Sequence, residues 1–598
     1  MGAAPGRVLA AIACLLAGLA GLPTHAAEAD ELRGARGLIV KLRASAADTG
    51  RAQALSARPD AVQAAAARSE TLKRLAAASG LANAHVRAIG RGFDRVDAPG
   101  VDAAGLAQLA ERLRERPEVE WVVPNARERL LQTPTDPLFA ATGGSNGQWW
   151  LFPSGGTNAN DISQRRRGVP GVQSAWSTTT GSNVVIAVLD TGITSHPDLG
   201  AQVLPGRDFV STVDYANDGD GWDTDPHDPG DWVDASDKSM NPTLFGSCDV
   251  AASSWHGTAI AGVLAATVNN VGIASVNWAG RILPVRVAGK CGAELADIVD
   301  GMRWAAGLQV LDDAGQPLAL NPNPARIVNI SFGGSAACNA AYQDAIDELH
   351  DAGVLVVAAA GNESSTTVTR PASCSGVLGV AALNRDGFKA TYSNFGTQVA
   401  IATVGGDPRT LGAWGTRLGD DGLLTISNAG TEGPGSGTYL HEFGTSFSAP
   451  IAAGVAGLML SVNSALTVDQ LIDGIRRSAR PHVTSQSIGA CSAQNPGRCL
   501  CSTSTCGAGI LDAPQALSYA LDPATYVAPA LTPAAIDNAD VSAAVALGQD
   551  LPGSSSGGSS SSGGGGGGAL GGLWLAGLAL AVMMLRRRAS TSSARTES

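Results

Sequence analysis

A long basic run is missing from the middle of this chain, and its net charge at pH 7 is −12. Nucleic acid would find no cationic track on such a surface, so no nucleic-acid partner is expected. The same acidic balance suits a soluble protein that binds cations. Cysteine is sparse: there are nine in 598 residues, and none falls between Cys14 and Cys248. The remaining eight are Cys248, Cys291, Cys338, Cys374, Cys491, Cys499, Cys501 and Cys506. An even number in an exported chain implies disulfides. Spacing does not fix their pairing, and a metal held by Cys499, Cys501 and Cys506 is the alternative for the last group. Export is read from the start of the chain. Arg7 precedes an apolar stretch over 8–22, and small residues place a cut after Ala26, so 1–26 reads as a secretory signal peptide.

The length exceeds one ordinary domain, and an apolar content of 44% supplies a large core. Within 28–131, the strand-like GLIVKLR, FDRVDAPG and VEWVVP alternate with helical stretches at 52–78 and 102–117. That pattern predicts a small α+β domain. From 148 to about 520 the runs NVVIAVLD, RILPVRV, ARIVNISF and GVLVVAAAGN alternate with helical segments. Continuous β-branched runs between helices predict a parallel sheet covered on both faces. Ligands bind beyond the carboxyl ends of such strands. Asp190, Ser331-Phe332-Gly333 and Gly361-Asn362 fall at those ends. After 521 the chain turns Ala/Pro-rich, then Gly/Ser-rich to 568, and reads as a linker. An apolar run over 569–585 then meets three arginines at 586–588, ahead of a tail at 589–598.

The stretch EFGTSFSAP, 442–450, raises the chemical question. Ser446 reads either as a nucleophile or as the cap of an apolar helix. A nucleophile needs a base, an orienter for that base and an oxyanion site. His256 opens HGTAIAG, Asp190 ends VVIAVLD and Asn362 closes VVAAAGN. Singly these are ordinary cap and turn residues. Together, in this order, they supply every part of an acyl-transfer site.

The motifs VLDTGI, HGTAIAG, AAAGNE and GTSFSAP resemble the subtilisin-like serine protease (subtilase) family over about 148–520. The resemblance implies a three-layer α/β subtilisin-like fold with a mostly parallel sheet over 132–520, and serine endopeptidase activity on protein or peptide substrates. Ser446 would attack the scissile carbonyl, His256 would relay the proton, and Asp190 would orient His256. Asn362 and the Ser446 N–H would hold the oxyanion. Ser331, Phe332 and Gly333 would bind substrate backbone. Glu363 would lie at the rim of the specificity pocket, or simply in a solvated loop. Ala259 stands where many relatives carry a second histidine outside the triad. A histidine rather than a glutamate base points to neutral or alkaline activity.

The same resemblance implies Ca²⁺. Its ligands would be the side chains of Asp136, Asp198 and Asn269 and the carbonyls of Thr267, Val271 and Ile273. A second acidic cluster, Asp218, Asp220, Asp223, Asp225, Asp228 and Asp231, is either another calcium site or a solvated loop. The family frame leads us to expect disulfides Cys248–Cys291 and Cys338–Cys374, with the last four cysteines pairing among themselves. Residues 27–131 resemble a ferredoxin-like inhibitory propeptide, so the chain would be a self-processing zymogen, active as a monomer, with a mature start near 131–135. The tail resembles the GlyGly-type sorting signal of Gram-negative bacteria. It would anchor the chain transiently in the inner membrane until a rhomboid-type protease cuts near 563–572 and releases it to the surface or medium. Two alternatives are a permanent anchor and an inactive binding module that keeps the fold.

Overall fold

The computed structural model describes residues 35–43, 58–89, 92–125, 133–140, 147–155, 165–312 and 314–550. The signal segment, the Gly/Ser-rich run and the apolar tail with its arginines lie outside them. The chain divides into two compact units, Met1–Leu130 and Leu131–Ser598.

The first unit runs β1 (Gly37–Leu42), α1 (Arg58–Ala78), β2 (His85–Ala88), β3 (Phe93–Asp97), α2 (Ala103–Arg114) and β4 (Val119–Pro124). Its antiparallel sheet has the order β2-β3-β1-β4. This βαββαβ arrangement is the expected ferredoxin-like one. Asp102 caps α2 by accepting from the Gly105 N–H, and Leu106, Leu109, Ala110 and Leu113 form its buried stripe. They pack on Leu38, Val40 and Val96 of the sheet. The short strand β2 was not legible, because HVRA buries only Val86.

The second unit contains β5 (Val185–Asp190), β6 (Arg207–Asp208), α3 (His256–Ala265), β7 (Arg281–Arg286), β8 (Ala288–Gly289), β9 (Gly292–Ala293), α4 (Leu295–Ala305), β10 (Ile327–Ile330) and α5 (Ala340–Asp351). It continues with β11 (Leu355–Ala359), β12 (Val377–Leu383), β13 (Ile401–Val404), β14 (Leu423–Asn428), β15 (Gly437–Glu442) and α6 (Thr445–Val462). Seven strands form one wholly parallel sheet in the order β13-β12-β11-β10-β5-β7-β6. Strand alternation divides the core. Ile186 and Val188 of β5 join the cluster with α3 and α6, while Ala187 and Leu189 join the one with α4 and α5. Helices therefore cover both faces, which is the three-layer subtilisin-like fold.

Among the described residues, α6 alone is long and apolar enough to cross a membrane; 89% of it is buried, so it is a core helix. It starts earlier than the apolar pattern suggests, with Gly444 as N-cap and Ser446 in the first turn. Ser446 is thus not the cap. Residues 521–550, expected as linker, instead pack into the second unit, with Ile536, Val541 and Ala544 buried.

The disulfides are Cys248–Cys291, Cys338–Cys374, Cys491–Cys499 and Cys501–Cys506. The expected pairs form, and the last four cysteines pair among themselves. The sulfurs of Cys491, Cys501 and Cys506 group closely, but all three are bonded in disulfides and offer no thiolate to a metal.

Candidate active site

Asp190 ends β5 and His256 opens α3. The His256 Nδ1 lies 2.8 Å from Asp190 Oδ1, and the same oxygen accepts the Thr191 N–H at 2.8 Å. Asp190 is 1% exposed. Gly257 explains why the motif reads His-Gly: a Cβ there would lie 2.2 Å from the Gly192 carbonyl oxygen. A side chain would push α3 off the loop that follows Asp190.

Two further aspartates, Asp228 and Asp231, brace this pair. Thr191 Oγ1 donates to Asp228 at 2.7 Å and accepts the Gly257 N–H at 3.1 Å. The Ser254 N–H and hydroxyl donate to the two oxygens of Asp231 at 2.6 and 2.7 Å. The His256 N–H in turn reaches Ser254 Oγ at 3.3 Å. Burial would lower the His256 pKa, but the charges of Asp190, Glu442 and Asp231 outweigh it and hold it above the ordinary value.

Ser446 Oγ donates to the Ser331 carbonyl at 2.7 Å, and Ser331 Oγ donates back to the Ser446 carbonyl at 2.8 Å. Pro450 makes the second bond available. It has no N–H to offer the carbonyl four residues earlier, so that oxygen takes the Ser331 hydroxyl. His256 Nε2 has no hydrogen-bond partner among the described residues. The imidazole thus presents an open acceptor.

Asn362 follows β11. Its Oδ1 accepts both the Thr445 N–H and the Thr445 hydroxyl at 2.9 Å. With the oxygen occupied by Thr445, the Nδ2 donors are left for another acceptor. Thr445 was missed as a functional residue. Its signal was the Gly-Thr pair ahead of Ser446.

Ser331 is 1% exposed, so its side chain locks Ser446 and only its main chain is left for substrate. Phe332 and Gly333 follow it on the way to the Gly334 backbone pairing with Arg370. Glu363 is exposed, and its carboxylate accepts from Asn394 Nδ2 at 2.5 Å.

The six aspartates 218, 220, 223, 225, 228 and 231 are engaged in separate local contacts. Among the described residues, no three His or carboxylate ligand atoms group as a metal site. Asp228 and Asp231 brace the His256 region, and Asp218 pairs with Arg286 at 2.5 Å, beside Asp208. Asp223 Oδ1 accepts from the Asp225 N–H and Asp225 Oδ1 from the His227 N–H, while the Asp220 N–H donates to Asp218. Local hydrogen bonds and one arginine engage most of these aspartates, where composition alone showed only their charge.

In the other candidate set, Asp136 and Asp198 both bond to the 269–273 loop. Asp198 Oδ2 accepts the Ile273 N–H and Asp136 Oδ1 accepts the Asn269 N–H, each at 2.9 Å. The second oxygen of each carboxylate is buried without a hydrogen-bond partner among the described residues. The Thr267 N–H donates to the Asp198 carbonyl, so the loop through Val271 wraps this pair. Asn269 Oδ1 already accepts the Val271 N–H at 2.8 Å. Two orphaned, buried carboxylate oxygens fit a hard cation.

Residues 181–500 match the model of the subtilase family. The chain is 36% identical over 448 residues to the "Extracellular protease" of Xanthomonas campestris pv. campestris, covering 74% of this chain and 67% of that protein. It is 35% identical over 400 residues to the "Extracellular basic protease" of Dichelobacter nodosus, covering 66% of this chain and 60% of that protein. A solved protease structure from Pseudoalteromonas arctica PAMC 21717 superposes with a TM-score of 0.53 at 37% identity, covering 65% of this chain and all of that one. The chain belongs to the subtilase family of serine proteases.

Proposed function

We propose that the chain is a secreted serine endopeptidase, made as a self-processing zymogen, that cleaves protein substrates through an acyl-enzyme. The observation that carries this reading is the joint placement of Asp190, His256, Asn362 and Ser446 at one end of the parallel sheet. The Ser446 hydroxyl turns from the Ser331 carbonyl to the open His256 Nε2, which takes its proton as Oγ attacks the scissile carbonyl. Asp190 steadies the resulting imidazolium, and that proton then goes to the leaving amine. The Asn362 Nδ2 and the Ser446 N–H meet the oxyanion. Water enters on the same base and releases the acyl group. Phe332 and Gly333 take substrate backbone as an added strand, and Glu363 favours a basic side chain at the pocket rim.

Secretion is supported by the leader-like start and by two relatives named extracellular. The ferredoxin-like unit acts as propeptide and inhibitor. The tail after 568 serves as a sorting signal removed by a rhomboid-type protease. Asp136, Asp198 and Asn269, with the carbonyls of Thr267, Val271 and Ile273, hold Ca²⁺, which stabilises this loop by neutralising the two carboxylates.

The test is caseinolysis by the purified exported enzyme beside Ser446→Ala. The variant is expected to fold, to keep its propeptide attached and to lose activity. A correctly folded Ser446→Ala protein that still cleaves casein would overturn the reading.

A further inference from the structure

The last described residue sits in a socket built for it. Asp550 is 1% exposed. Its Oδ1 accepts the Trp414 N–H at 3.0 Å, and its Oδ2 accepts the Arg498 N–H at 3.2 Å and Nη1 at 3.3 Å. Trp414 Nε1 donates to the Gly548 carbonyl at 2.8 Å. Gly412 and Gly497 leave the room: a Cβ at either would lie 2.3 Å from an Asp550 oxygen.

The socket leads to the nucleophile. Arg498, fully buried, forks onto Asp407 at 2.6 and 2.9 Å. Asp407 Oδ1 accepts the Thr391 N–H at 3.2 Å. The next residue, Tyr392, donates its hydroxyl to the Gly405 and Gly406 carbonyls at 2.8 and 2.6 Å. That hydroxyl accepts the Gly444 N–H at 2.8 Å. Gly444 caps α6, two residues before Ser446.

We infer that residues 522–550 form a C-terminal strap belonging to the catalytic unit, and that Asp550 is a positioning residue for Ser446 acting through Arg498, Asp407, Tyr392 and Gly444. The reasoning is electrostatic and steric. Arg498 is buried between two carboxylates, and removing one leaves its charge undercompensated in a dry site. The 405–408 turn then relaxes, and the Gly444 cap with it. Any cut that removes the tail must therefore fall beyond Asp550. This inference rests on Ser446 being the nucleophile.

The experiment measures the second-order rate at which a fluorophosphonate labels Ser446 in the full-chain wild type, Asp550→Asn and Trp414→Phe, well below their melting temperatures. Asp550→Asn is expected to label about tenfold more slowly, below the roughly hundredfold cost of a full ångström's misplacement. Trp414→Phe, which keeps the backbone N–H on Asp550 but loses the Gly548 bond and part of a buried ring, should fall in the same direction by a smaller factor. It carries the comparison if Asp550→Asn does not fold. Amide exchange at Gly444 to Phe447 should quicken in the slowed variants, which a purely structural role elsewhere would not cause. The exported enzyme should end at or after Asp550. Equal labelling rates with unchanged exchange would overturn the strap, as would an active enzyme ending before Asp550. An unlabelled wild type would instead sink the reading of Ser446 itself.

Discussion

Asn362 shows how a single amide is made into a directed donor. Both Thr445 bonds fall on its oxygen, so its nitrogen has one side left to serve. Asn362→Ala should lower kcat by about 10²–10³-fold, ~3 kcal/mol, with KM little changed. Steady-state kinetics on a peptide anilide checks this, and an equal rise in KM with kcat intact would contradict it. His256 makes a pH prediction. It acts as a base only when neutral, and its pKa is held above the ordinary value, so kcat/KM should rise with pH through a limb above 6.5. Burial pushes Glu442 up to about 7, yet it is anionic on the alkaline side and favours the imidazolium. Glu442→Gln removes that charge, lowers the His256 pKa and moves the limb to lower pH. A limb that stays put in the pH profile would show that Glu442 does not act on His256.

Elements differ in how plainly the sequence declares them. The strands that lead to Asp190, Ser331 and Asn362 were legible because both their faces are buried and their residues are almost all apolar. The hairpin β14–β15 was not: the turn signal Gly433-Pro434-Gly435 is there, but GTYLHE is half exposed and lacks the alternation that marks a strand. The packing of 521–550 was hidden for another reason: Ala/Pro composition marks a linker, and only the tertiary socket for Asp550 makes it part of the domain. Asp228 and Asp231 were read for charge, and their bonds to Thr191 and Ser254 are a tertiary fact. Two predictions belong here. Cys248–Cys291 ties the insertion before α3 to the β8–β9 turn, so Cys248→Ser with Cys291→Ser should cost about 2–4 kcal/mol in urea unfolding. Calcium binding to the Asp136–Asp198 loop should raise Tm on titration after chelator treatment, by about 2.7 kcal/mol of stability at a hundredfold excess over Kd. Asp198→Asn should remove most of that response, and an undiminished response would refute the ligand set.

At the scale of the whole molecule, a seven-stranded parallel sheet is slow to assemble because every pairing spans a long stretch of chain. The compact ferredoxin-like unit is the piece expected to fold first and template it. Catalytic chain lacking that unit should refold poorly alone and better when the unit is added in trans, and the added unit should inhibit hydrolysis. Full unaided refolding without inhibition would contradict the propeptide role. The central claim, that the fold exists to activate one serine, is tested most directly by peptide mass spectrometry after fluorophosphonate treatment of the exported enzyme. The account predicts one stoichiometric adduct on Ser446, formed faster as pH rises through the His256 limb and nearly absent in His256→Ala. An adduct on another serine, or none at all in an enzyme that hydrolyses casein, would contradict it.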